Sequence, residues 1–138
     1  MASLGEPMDL DVESPKEDEA WPIANESLTQ ELLELLRHAA YTRQVKKGSN
    51  EVLKNINRNK AKLVILAADT QPLMIVAHLT SYCEEKDIPY VYVPSRNAIG
   101  RVCRVTCPIS AACIISDEDS ELTGRLQRVK VQVESLFI

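Results

Sequence analysis

The stretch KKGSNEVLKNINR, Lys46 to Arg58, holds a basic pair, a glycine, then Asn50 and Glu51, with Lys54 and Arg58 further along. These side chains suit the reading of a polyanion better than the breaking of a bond. Lysine and arginine make counterion-releasing contacts with phosphate. Gly48 lets another backbone approach closely, and a helix opening after it offers free N–H donors to an anion. If Gly48-Ser49 opens that helix, Lys47, Asn50, Glu51, Lys54 and Arg58 recur three or four residues apart on one face. A solvated helix face accounts for the lysines alone equally well. Asn50-Glu51 separates the two readings. Phosphate repels a carboxylate in an RNA-facing strip unless that carboxylate accepts from base donors, and asparagine offers both a donor and an acceptor. The mixture fits base-edge reading, with the basic residues positioning the backbone.

Enzyme signatures are missing: the sequence has no GxGxxG, Walker loop, GxSxG or HExxH. His78 and Cys83 are five residues apart and do not share a helix face, so a packed or capping histidine is preferred to a nucleophile–base pair. Asp69 follows an apolar run, where an open α/β sheet could carry a catalytic acid. A turn-forming role is preferred there. Cys83, Cys103, Cys107 and Cys113 include no CxxC, and the C-x3-C of Cys103 and Cys107 falls short of a four-ligand zinc site. No catalysis, metal or cofactor is expected.

The elements that must position this strip come from a chain of 138 residues with net charge −4. Residues 1–20 carry seven acids against Lys16, a local balance of −6, which leaves +2 for the remainder. Eight basic residues and the single acid Glu51 lie between Arg37 and Lys62. Residues 1–20 are expected to be a disordered acidic tail, and 21–138 one domain. The acidic N-terminus lacks the basic-then-apolar pattern of a secretory signal, so reduced thiols in a nuclear or cytosolic protein are expected. No apolar run is long enough to span a bilayer.

Ser27 and Gln30 have capping-box spacing, and Leu28, Leu32, Leu35, Leu36 and Ala39 follow at helical period, which predicts a first helix ending near Tyr41. A second helix is predicted from Ser49 to Asn59, with Val52, Leu53 and Ile56 buried. LVILAA, Leu63 to Ala68, reads as a strand covered on both faces. Pro72 suits a helix's first position, and Leu73–His78 and Thr80–Lys86 read as helical. Ile88–Val93 is a second strand, Ser95 caps a short helix toward Gly100, and Ala111–Ile115 is a third strand. Leu122, Leu126, Val129, Val133 and Leu136 share one face of a closing helix, Ser120 to Leu136. Strands alternating with helices predict a single-domain α/β fold, a three-layer α/β/α sandwich with a small mixed sheet.

GSNEVLK, LVILAADTQP, HLTSYCEEKDIPYVYV and SRNAIGR, in this order, resemble the kink-turn RNA-binding family of ribosomal, archaeal and small nucleolar proteins. The resemblance runs from Trp21 to Ile138. With the closing LTGRLQRVKVQVESLFI, the chain looks most like the branch that binds U4 small nuclear RNA and box C/D guide RNAs.

The resemblance implies that Glu51 accepts from guanine N1–H and N2–H2 in sheared G·A pairs, while Asn50 and Lys54 address O6 and nearby groups. Lys47, Gly48 and Arg58 would hold the bent backbone. A flipped-out nucleotide would lie against Gln71, Pro72 and Ile75, with Arg96 nearby, and a last contact would come from the loop around Val105. Arg101 and Arg104 are weaker candidates.

Two positions depart from the branch pattern: Gln71 stands where it usually has glutamate, and Cys107 where it usually has arginine. Arg104, where the family commonly has glycine, is a candidate to restore that charge. The implied partners are kink-turn RNA, a Nop-domain splicing factor and the box C/D Nop proteins. The implied setting is the nucleus and nucleolus, with a free monomer and no membrane. A ribosomal or box H/ACA member, or an interaction module that has lost RNA binding, are the competing readings.

Overall fold

The computed structural model describes residues 22–70, 72–115 and 120–136, and for 120–123 the backbone only. The predicted acidic tail, Trp21, Gln71 and the side chain of Leu122 lie outside the described residues.

Helix α1 (Glu26–Tyr41) buries Leu28, Leu32, Leu35, Leu36 and Ala39, the predicted stripe. Its cap is Asn25, not Ser27: Asn25 is extended, with φ −73° and ψ 179°, and its side chain accepts from the Leu28 N–H at 2.8 Å. Ser27 sits inside the first turn, where its hydroxyl cannot satisfy an N–H three residues on.

After the turn at Thr42–Gln44 comes a strand that the sequence pattern does not reveal, β1 (Val45–Lys47). Lys47 is thus a strand residue rather than part of a helical face. Helix α2 (Ser49–Asn57) ends two residues short of Asn59, because Asn59 takes φ 61° and the Asn55 carbonyl accepts from Lys60 and Ala61.

Strand β2 (Leu63–Ala67) is wholly buried. Helix α3 (Met74–Lys86) is one continuous helix, stopped by Asp87 in the left-handed region at φ 62°. Strand β3 (Tyr90–Val93) starts after Pro89, which has no N–H for a ladder. Helix α4 (Arg96–Val102) is capped as predicted by Ser95, whose Oγ accepts from Ala98 at 3.2 Å, and it runs two residues past Gly100. Strand β4 (Ala111–Ile114) and helix α5 (Ser120–Ser135) complete the described chain.

The strands lie in the order β1-β4-β2-β3, with β2 and β3 parallel and β4 antiparallel to both its neighbours. Alternation along them sends Leu63, Ile65, Val91, Val93, Ala112 and Ile114 to a core shared with α1, α4 and α5. Val64, Leu66, Tyr90, Tyr92, Ala111 and Cys113 meet Val52 and Ile56 of α2 and Val76 and Leu79 of α3 on the other face. The result is the predicted three-layer α/β/α sandwich with a mixed sheet. The outer edge of β3 is covered by residues 22–24: Tyr92 donates to the Pro22 carbonyl and Ala24 donates to the Tyr92 carbonyl, both at 2.9 Å. At the opposite side, β1 is the free edge.

Candidate nucleic-acid interface

Gly48 alone separates β1 from α2, and it does so at φ 95° and ψ 145°. A Cβ there would meet nothing within 4 Å, so backbone conformation, not crowding, calls for glycine. Its N–H donates to the Ala111 carbonyl at 2.8 Å and its carbonyl accepts from Val52 at 2.9 Å. No side chain caps α2, which leaves first-turn N–H groups for an anion.

Asn50, Glu51, Lys54 and Arg58 are all exposed along α2, which is anchored beneath by Val52 and Ile56. Glu51 Oε2 lies 3.7 Å from Lys54 Nζ, with the two side chains 50% and 58% exposed. A solvated pair of this kind adds little stability, and both groups stay open to a ligand.

Asn55, only 4% exposed, supports the strip from within: its Nδ2 donates to the Glu51 carbonyl at 2.8 Å. The sequence pattern misses this residue. Its place between the apolar Val52 and Ile56 was the available signal, since the helix turns position 55 inward.

The other walls come from Ile75, exposed near the start of α3, and from the loop between α4 and β4. That loop is pinned to α4 by Val105 N–H donating to Gly100 at 3.1 Å and Ile109 N–H donating to Arg96 at 3.2 Å. A Cβ on Gly100 would lie 2.5 Å from the Cys107 carbonyl oxygen, so the loop's path depends on glycine there. Lys47, Gly48, Ser49, Ile75, Val105 and Cys107 line a shared groove of about 400 Å³, completed by Pro108, Ile109 and Ser110.

The remaining predicted residues sit around this groove or away from it. Pro72 is exposed and accepts from the Ile75 N–H at 3.1 Å. Arg101 lines a smaller pocket of about 260 Å³ with Asn97, Val105 and Cys107. Arg104 faces elsewhere, its guanidinium 6.0 Å from the Tyr41 ring centroid.

The Arg96 N–H donates to Asp69 Oδ1 at 2.9 Å. Asp69 thus ties the end of β2 to the start of α4, a long-range contact in place of the local turn bond expected of it.

The thiols and histidine behave as structural groups. His78 Nδ1 lies 3.2 Å from the Met74 carbonyl and its ring meets Tyr82 edge-on. Cys83 is fully buried, and burial above all pushes its thiol up to about 12, so it is no partner for His78. Burial does the same to Cys113, also to about 12. All four cysteines are free, and Cys107 is the exposed one. Among the described residues no group of three or more His, Cys, Asp or Glu side chains could hold a metal, and no helix is long and apolar enough to cross a membrane.

The model of the ribosomal protein L7Ae/L30e/S12e/Gadd45 family matches residues 30–123, from within α1 into α5. The chain belongs to this family. The matched region of the L7Ae-type fold holds the whole groove and the α2 strip, in line with the resemblance read from the sequence. The chain is 44% identical over 119 residues to the small nuclear ribonucleoprotein associated homolog 13 of Caenorhabditis elegans, covering 86% of this chain and 93% of that one. It is 44% identical over 119 residues to the 13 kDa ribonucleoprotein-associated protein of Saccharomyces cerevisiae, covering 86% and 94%. Among solved structures, the Giardia lamblia 15.5kD RNA binding protein superposes with a TM-score of 0.82 at 46% identity, covering 85% of this chain and 96% of that one.

Proposed function

We propose that this L7Ae-family protein is a non-enzymatic RNA-binding protein that captures kink-turn RNA in its bent form. What carries the reading is the adjacency of the Asn50–Glu51–Lys54 strip to the groove framed by Gly48, Ile75 and Val105. The strip offers carboxylate, amide and ammonium groups to base edges. The groove offers an apolar bed, with Lys47 at its rim, to an extruded nucleotide. Only the bent RNA presents both features together, so binding stabilises that state.

The names of the relatives, ribonucleoprotein-associated and RNA-binding, support RNA as the ligand class. On this reading the RNAs are U4 small nuclear RNA and box C/D small nucleolar RNAs. The protein–RNA surface then recruits a Nop-domain splicing factor and box C/D Nop proteins. The work is pre-mRNA splicing and rRNA modification in the nucleus and nucleolus, by a protein that is monomeric when free.

The test is a salt-titrated binding assay with a U4-type kink-turn and a control whose sheared G·A pairs are replaced by Watson–Crick pairs. Strong preference for the first supports the proposal. Equal, salt-sensitive binding reduces the strip to a generic basic face, and no binding to either returns the interaction-module reading.

A further inference from the structure

We infer that Tyr41 and Arg104 form a second RNA contact, a stacking platform for one unpaired nucleotide flanking the bent motif; this rests on the reading of the groove as a kink-turn site. Tyr41 ends α1 with 74% of its surface exposed, more than any other large apolar side chain among the described residues. The Arg104 guanidinium lies over its ring, 6.0 Å from the centroid. Both partners are exposed.

Arg104 also holds φ 63°, a left-handed conformation that glycine adopts with less strain. Arg104 follows the C-cap of α4, so this helix end places a long cationic side chain on an exposed turn where glycine is the usual residue. The turn is held firmly, since Arg104 donates to the Arg101 carbonyl at 3.2 Å and Val105 to Gly100 at 3.1 Å. On the facing side, Thr42 Oγ1 donates to the Ala39 carbonyl at 3.1 Å and the Arg43 N–H to Ala40 at 3.1 Å. The pair is presented by two fixed turns.

Its position and charge select the ligand. Val105, next in the chain to Arg104, lines the groove, as does Lys47, whose ammonium acts on Cys103 beside Arg104. The chain flanking the pair is basic: residues 38–50 and 88–115 contain no Asp or Glu and carry Arg43, Lys46, Lys47, Arg96, Arg101 and Arg104. An aromatic face braced by a guanidinium, flanked in the chain by basic residues, is the chemistry that stacks a nucleobase and holds its phosphate. A base laid on the exposed ring extends the stack that Arg104 begins.

The test uses a blunt kink-turn RNA and the same RNA with a short uridine overhang, placed at each end in turn and substituted with 5-iodouridine for photocrosslinking. The wild-type protein should bind one overhang RNA more tightly than the blunt one and crosslink through Tyr41. Tyr41→Ser and Arg104→Gly should each remove that gain, about tenfold, without changing affinity for the blunt RNA. Arg104→Gly relieves the strained φ, so its melting temperature should hold or rise, which separates lost binding from lost folding. No gain from either overhang, a gain kept by both variants, or crosslinks only elsewhere would overturn the inference. A wild-type protein that ignores the blunt kink-turn overturns the groove reading instead. Crosslinking of Tyr41 to the free uridine oligonucleotide then still decides for or against the platform.

Discussion

The N–H of Gly48 donates to the carbonyl of Ala111 at 2.8 Å, which fastens the turn before α2 to the first residue of the last strand. Helix α2 and the α4–β4 loop, which ends next to Ala111, are therefore one mechanical unit. Disturbing either should disturb both.

Gly48→Ala tests the turn itself. The position has room for a Cβ but holds φ 95° with ψ 145°, so the cost is backbone strain of about 1–3 kcal/mol. The expected result is a melting temperature lowered by a few degrees, with weaker kink-turn binding measured on the same sample.

Glu51→Ala and Lys47→Ala should fail in different ways. The first removes an acceptor for base donors and is expected to cost about 1–3 kcal/mol on a kink-turn, by analogy with duplex readout, while nonspecific binding stays the same. The second should weaken every RNA and lower the slope against salt by about one. Identical behaviour of the two variants in a salt titration would refute this division of labour.

Gly100→Ala drives a methyl to 2.5 Å from the Cys107 carbonyl, a backbone atom that must move with its loop. Destabilisation of about 1–3 kcal/mol is expected, together with reduced RNA affinity through displaced Val105. Gly124→Ala is the control: it lies exposed in α5 with nothing within 4 Å of the new Cβ. It should stabilise by about 0.5–1 kcal/mol, seen as a higher denaturant midpoint.

Thiol labelling should find one fast cysteine, Cys107, and three slow ones, Cys83, Cys103 and Cys113. Bound kink-turn RNA should slow the fast phase, because Cys107 lines the groove. A fast phase unaffected by saturating RNA would place the RNA elsewhere.

Alkaline stability should fall above pH 9. Cys83 and Cys113 titrate near 9.0 when unfolded and at about 12 when folded, because burial opposes the thiolate. Between these values the unfolded chain has lost protons that the folded one keeps, so unfolding gains with rising pH, and below pH 9 the effect vanishes. Burial also raises Tyr90 and Tyr92, which adds to the slope. Melts from pH 7 to 11 on the protein and on Cys113→Ala should show a shallower fall in the variant.

Much of this was legible in the sequence, and the remainder was hidden for identifiable reasons. The stripe Leu28–Leu32–Leu35–Leu36–Ala39 and the apolar run Leu63–Ala67 carry their own period and burial, so α1 and β2 stand where the pattern puts them. The exposed row Asn50, Glu51 and Lys54 on α2 was legible from its helical spacing. Strand β1 was not, since three residues hold too little alternation and its existence depends on β4, more than sixty residues away. Asn25, Asp69 and Gly100 act through contacts that no local spacing encodes: a cap set by backbone angle, a bond across twenty-seven residues, and a close approach of loop to helix.

The open edge of the sheet gives Lys46 and Lys47 a duty apart from any ligand. Strand β1 ends the sheet with ladder groups facing outward, while residues 22–24 cover the far side. Such an edge invites a second molecule to add its own strand and so begin a fibril. Two exposed lysines on a three-residue strand oppose that stacking by charge and by brevity. The same cations thus serve as gatekeepers of solubility, and a variant stripped of both to abolish RNA binding would be prone to self-association.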